Sequence, residues 1–435
     1  MNTLNTLTIL WIALPFFIGF SIYLLPQIAR HFAFGVALIS ITYGLGILFS
    51  SSSLTLGLID NFGVTLTVDA LSGYFILTNG FVTAAVILYC WNQHKTAFFY
   101  TQAIILHGSV NAVFICADFI SLYVALEVIG IAAFLLIVYP RTNRSIWVGL
   151  RYLFVSNTAM LFYLIGAALV YQATNSFAFV GLEKAPIEAI ALILLGLLTK
   201  GGIFVSGLWL PLTHSESDTP VSALLSGVVV KAGVFPLVRF ALLGSDFNPI
   251  IRIFGVATAL LGVSYAVFTK DTKRMLAFHT ISQLGFILAA PQVGGFYSLT
   301  HGLVKAALFL CAGNLPSRNF KELKYQPIAT PIWIALAIAS FSISGFPLLS
   351  GFGAKVLTMK NLETWQIIGM NIAALGTSIS FAKFIFLPHE RKEGKVKPGF
   401  WPAIIVLLGG LVLANGFYYD AYTVGNIVKP LATIV

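Results

Sequence analysis

Charge is scarce in this sequence: Asp, Glu, Lys and Arg make up 9% of its 435 residues. A soluble domain carries about a quarter, so a water-facing fold is excluded. Cysteine is scarcer still. Cys90, Cys116 and Cys311 are far apart and form no CxxC, which excludes a disulfide framework and an iron–sulfur centre. No glycine-rich nucleotide loop is present. The chain is therefore expected to bind no cofactor and no metal, and to carry no catalytic residues for redox or hydrolytic chemistry. Its net charge of +10 would suit nucleic acid, yet no basic stretch lies beside an aromatic surface in a soluble segment. No nucleic-acid partner is expected.

What is abundant is apolar. Hydrophobic residues make up 58% of the chain, and the mean hydropathy is +0.92. Fourteen spans of ~20 residues with loops of ~10 would use the whole length. They are expected at about 6–26, 32–50, 70–90, 98–117, 119–139, 146–171 and 188–210, then 221–243, 249–268, 275–291, 295–314, 331–358, 364–387 and 401–420. The first has no basic residue before it and no cleavage site after it, so it reads as a retained span. With the N-terminus outside, fifteen basic residues fall on the inner side and five on the outer. That is the bias the positive-inside rule predicts, and it puts both termini outside.

Five lysines remain within spans: Lys200, Lys231, Lys305, Lys355 and Lys383. A charge at mid-membrane depth costs at least ~3 kcal/mol, so such residues face a partner or a wet cavity. Lys200 is followed by Gly201, Gly202 and Gly207, and Lys355 is preceded by Gly345, Pro347, Gly351 and Gly353. Both helices, the seventh and twelfth, are expected to be broken beside the charge. Interrupted helices at matching places point to an inverted repeat. Glu127, central in the fifth span, is the carboxylate placed to meet a lysine. His301 and Lys305 are four apart and share one helix face. His107 and Asn111 suit either helix–helix bonding or a wet path, and His214 and His279 are auxiliary candidates. Asp118 reads as a helix-start carboxylate, and Lys383 as a snorkelling residue.

Several blocks resemble one family. They are Lys200, Trp209-Leu210-Pro211, Thr219-Pro220-Val221-Ser222-Ala223, Lys231-Ala232-Gly233-Val234 and Arg239, with DTKRMLAFHTISQLGFIL in span ten and HGLVKAALFL in span eleven. Together they resemble the proton-conducting, antiporter-like subunits of respiratory complex I and of Mrp-type cation/proton antiporters. Val205, Gly207 and Leu212 stand where the family usually has Pro, His and Asp.

The resemblance implies an all-α polytopic membrane protein with about fourteen transmembrane helices and two inverted five-helix repeats, helices 7 and 12 broken. Residues 1–95 would hold helices 1–3, 96–245 the first unit, 246–390 the second and 391–435 helix 14. It also implies a proton relay through Glu127, Lys200, Lys231, His301, Lys305 and Lys355, in that order. Burial favours the neutral form of a lysine, and a nearby carboxylate favours the charged one. At ~4 Å the second effect is worth about 4 kcal/mol, enough to switch protonation near neutral pH.

The implied partners are other membrane subunits, protons, Na+ or K+ as exchanged ions, and the bilayer of a prokaryotic plasma membrane (or a thylakoid). A D-like subunit of an Mrp-type antiporter is the preferred reading. A proton-pumping subunit of a complex I-type NADH dehydrogenase is the alternative, and a stand-alone secondary transporter the second.

Overall fold

A computed structural model describes residues 3–50, 53–59, 63–244, 246–391 and 396–428. Six helices open the chain: α1 Thr3–Leu24, α2 Ala29–Ser50, α3 Ala70–Cys90, α4 Ala97–Val113, α5 Phe119–Ile137 and α6 Asn143–Thr174. Local chemistry sets their starts. Asp69, Asp118 and Thr142 each accept a hydrogen bond from the backbone N–H three residues on, satisfying donors that a helix start leaves free. Asp118 is thus the helix-start carboxylate its position suggested.

Between α2 and α3 lies a departure from the all-helical expectation. An antiparallel hairpin pairs β1 Leu54–Ile59 with β2 Gly63–Val68. Their residues, LTLGLI and GVTLTV, include β-branched ones that suit a strand. Asp118 also holds β2, accepting from the Thr65 N–H at 2.8 Å.

The seventh segment is broken as expected. Helix α7, Ile187–Gly201, meets a short 3-10 turn and then α8, Leu210–Glu216, with a 40° bend. Gly202 ends α7 at φ +71, a conformation that glycine takes at little cost. The Ile203 N–H then reaches back to the Leu198 carbonyl, a Schellman closure. The chain continues through α9 Thr219–Leu224, a π turn at Leu225–Val229 and α10 Lys231–Leu243. Helices α11 Phe247–Phe268, α12 Thr272–Ala289, α13 Gly294–Ala312 and the short α14 Phe320–Leu323 follow. Then come β3 Ile328–Ala329, α15 Thr330–Ser344, α16 Ser350–Lys360, α17 Ile367–Ile385, β4 His389–Glu390 and α18 Phe400–Leu413. The gap between α15 and α16 repeats the first break. Gly345 has φ +82, and the Phe346 N–H reaches back to the Phe341 carbonyl.

Among the described residues ten helices are long and apolar enough to cross a membrane, or eleven counting α7 with α8 as one bent span. The expected count of fourteen exceeds this. Helix α4 has 17 residues and α15 has 15, while α12 carries Lys273, Arg274, His279 and Gln283. The loops nonetheless gather on two faces. On the basic face Glu216 bonds Arg144 at 3.1 Å and Arg318 at 3.5 Å, and Arg318 reaches Asp271 at 2.9 Å. Asp218 there pairs with Lys95 at 2.7 Å. On the other face Arg239 pairs with Asp69, and Arg252 bonds Gln292 and Gln366. The core lies around α10 and α13, and every residue of α13 is buried.

Candidate functional site

The breaks and glycines place one lysine after another through the core. Lys200, in the last turn of α7, is buried and donates to the Ser156 hydroxyl of α6 at 2.5 Å. Its amine also lies against α5. A Cβ on Gly130 would stand 3.2 Å from Lys200 Nζ, so that glycine makes the room. Glu127 is one turn earlier on α5, half-buried, and its enclosed Oε1 has no hydrogen-bond partner among the described residues. The expected close contact is not formed, since no ion pair joins Glu127 to Lys200, though the two remain in electrostatic reach. The lysine has a neutral hydroxyl as its direct partner and the carboxylate as a second, more distant one.

Helices α7 and α10 then touch backbone to backbone. A Cβ on Gly233 would lie 2.3 Å from the Gly201 nitrogen, so the glycine at 233 is what permits this approach. The contact brings the Lys200 turn beside that of Lys231. Lys231 donates to the Gly227 carbonyl at 2.5 Å. A π turn widens the helical ladder and leaves a carbonyl free for such a bond.

The Lys231 amine faces α13, where a Cβ on Gly302 would come within 3.4 Å of it. His301, the neighbour of that glycine, lies in electrostatic reach of both Lys231 and Lys305. Lys305 donates to the Leu276 carbonyl of α12. Beyond His301 is a cavity of about 10 Å³, lined by Gln283, Tyr297, Thr300, His301, Ser342 and Gly351. It has room for one water-sized occupant and opens toward the second break. There Lys355 donates to the Ser344 carbonyl, at the end of α15, at 3.1 Å. A side chain on Gly345 would come within 2.7 Å of Lys355 Cδ.

This arrangement of buried lysines between two broken helices can be set beside known proteins. Residues 116–380, more than half of the chain, match the family described as "NADH:quinone oxidoreductase/Mrp antiporter, TM". The chain belongs to this family. It is an integral, multi-pass membrane protein. Among its relatives is the D subunit of a Na(+)/H(+) antiporter from Alkalihalophilus pseudofirmus, 28% identical over 95% of this chain and 94% of that one. The N subunit of an NADH-quinone oxidoreductase from Desulforudis audaxviator is also 28% identical, over 78% of this chain and 76% of its own length. The fold matches a chain of an archaeal membrane-bound sulfane sulfur reductase at TM-score 0.84 and 22% identity, covering 99% and 98% of the two chains. It matches a chain of the Mrp complex from Dietzia sp. at 0.80 and 19%, covering 99% and 97%.

Within this antiporter-family fold the remaining histidines separate. His279 packs on Phe381 at 4.7 Å in reach of Lys305 and Lys355, and His214 lies between Trp209 and Phe309. His107 is apart from the lysine line. Its Nε2 contacts Ser40 at 2.8 Å and accepts from Asn111, and its Nδ1 contacts Thr83 at 3.0 Å. Asn79 completes the network by donating to Asn111. The helix–helix reading of His107 is the one this geometry supports.

Other participants have weak sequence signals. Ser156 and the Gly227 and Ser344 carbonyls hold the lysines, but a serine in an apolar span and a backbone carbonyl have no distinctive pattern. Lys273 looks like part of a surface anchor, yet it is buried and donates to the Ser217 carbonyl between α8 and α9 at 2.9 Å. Lys383, expected to snorkel, donates to the Val267 and Thr269 carbonyls at the end of α11.

Proposed function

We propose that this chain is the D-like, proton-translocating subunit of an Mrp-type monovalent cation/proton antiporter. The observation that carries the proposal is the run of buried amines from Lys200 to Lys355, each held by a hydroxyl or carbonyl and none, among the described residues, by a direct ion pair. A lysine held by neutral groups loses its proton at less cost than one locked to a carboxylate. Glu127 supplies the adjustable term at one end. The cavity beside His301 links α13 to the second break. The relay runs Glu127, Lys200, Lys231, His301 with Lys305, then Lys355, with His214 and His279 as flanking groups.

The two units, 96–245 and 246–390, act as inverted repeats, and all fourteen segments cross the bilayer. Support comes from the two matching Schellman breaks and from the loops meeting on two faces. The partners are other membrane subunits, and Na+ or K+ is the exchanged ion. The near full-length match to a protein named as the D subunit of an antiporter favours this assembly. The match to the N subunit of an oxidoreductase keeps a complex I-like assembly as the second reading.

Purification from the native membrane with its partners, followed by reconstitution in vesicles, tests the proposal. Proton efflux driven by added Na+ or K+, with no redox substrate present, is expected. Proton movement that needs an electron donor and quinone would move the chain to the second reading, and none under either condition would remove it from both.

A further inference from the structure

On the basic face a groove of about 650 Å³ lies where the first broken helix meets α11 and α12. Its floor is apolar, with Leu208, Pro211 and Leu212 on one side and Tyr265, Phe268 and Phe278 on the other. Tyr265 stacks on Phe278 at 5.1 Å, and Phe268 is 83% exposed. Its rim is cationic. Arg151 enters from α6, Lys270 from the loop after α11 and Arg274 from the first turn of α12. Among the described residues none of these three forms an ion pair. One carboxylate, Asp271, also lines the groove, but it is bound by Arg318 at 2.9 Å and by the Arg274 N–H at 2.7 Å.

We propose that this groove is a binding site for an anionic phospholipid, its phosphate against Arg151, Lys270 and Arg274 and its acyl chains along Phe268 and Leu208. Charge complementarity selects the head group, because three cations without an ion pair among the described residues converge where the lining carboxylate is already bound; Arg151 also lies over the Trp147 ring at 5.8 Å. The floor selects a lipid over a soluble anion, since a free phosphate would leave the exposed aromatic surface uncovered. Basic pockets between transmembrane helices, at the end where basic residues gather, suit such head groups. The site spans the seam between the α7–α8 break and the α11–α12 pair, so the lipid would lie across the contact of α8 with α12 and cover its outer edge.

The test uses the full chain purified with its partner subunits, stripped of lipid, and titrated with phosphatidylglycerol or with phosphatidylcholine of the same acyl length. Native mass spectrometry reads the bound lipid. Wild type should retain phosphatidylglycerol at least about tenfold better. The triple variant R151Q/K270Q/R274Q should lose that preference, whereas K321Q/K324Q/R391Q, equal in charge removed and on exposed positions, should keep it. F268E, at an exposed floor position, should weaken retention of both lipids with the rim intact. Undiminished retention in the triple variant, or equal loss in both triple variants, would overturn the proposal. Displacement of the lipid by inorganic phosphate alone, or cross-linking of a neighbouring subunit into the groove from position 268, would do the same.

Discussion

Lys200 and Glu127 differ in what they touch, and that difference sets what their removal does. Glu127→Gln deletes a nearby charge that stabilises a protonated Lys200, and Lys200→Ala deletes the carrier. Each should lower proton flux in vesicles at least tenfold while apolar spans still insert, as membrane fractionation would record. Flux near wild type at equal protein level would remove the pair from the path. For Lys355 the contrast lies between two variants. Arginine keeps a charge that stays protonated in proteins, and methionine removes it. Both should stop transport, with arginine preserving assembly better; an arginine variant that pumps normally would make Lys355 a structural ligand of the Ser344 carbonyl. Asp218, outside the spans, gives a pH test. Burial pushes its carboxyl up, but the hydrogen bond and charge of Lys95 prevail and hold it below the ordinary value. A carboxyl lower in the folded than in the unfolded chain stabilises fully above its unfolded value, and that contribution fades as pH falls through the folded one. Asp218→Asn should therefore cost about 1–3 kcal/mol near neutral pH. The gap to wild type should close below about pH 4 in thermal unfolding in detergent.

Among the elements, the broken helices depend most on glycine. Gly345→Ala forces a positive φ on alanine, at about 1–2 kcal/mol, and pushes its methyl into Lys355 Cδ. Gly233→Ala drives a methyl into the Gly201 backbone and separates α7 from α10. Both variants should lose thermal stability and proton flux together, and a Gly233→Ala protein with normal flux would show that the Lys200–Lys231 step does not need that contact. The breaks were legible in the sequence because glycine and proline cluster there beside a lysine, a pairing with no use in an ordinary span. The helix start at Asp118 was legible for a similarly local reason. The hairpin of β1 and β2 was not, because short strands in a loop between apolar spans are lost against the stronger helical pattern. The π turn before Lys231 was hidden too, since Leu225–Val229 has no distinctive residue pattern and the turn is seen only once it packs on α13. The separation of Glu127 from Lys200 was beyond reach, because sequence gives which charges exist and not which rotamers face each other.

For the whole molecule, the two loop faces make an orientation test. A tag at Lys324, on the basic face, should be reached only from the inner side of sealed vesicles, and labelling from outside would invert the topology. The complete burial of α13 bears on how the chain is made. When α13 leaves the translocon, α3 and α12 are already in place, but α15, α16 and α18, which also pack on it, have not yet been inserted. During that interval a helix bearing His301 and Lys305 has a flank open to lipid, at a cost of at least ~3 kcal/mol for a charge. A chain ending at Gln326 should accordingly be cleared much faster than the full one in a pulse-chase experiment. Equal lifetimes would mean that α13 is stable before its last neighbours arrive. The residues that would carry protons in the finished protein are thus a hazard during its synthesis, and the last hundred or so residues act on them as a built-in chaperone.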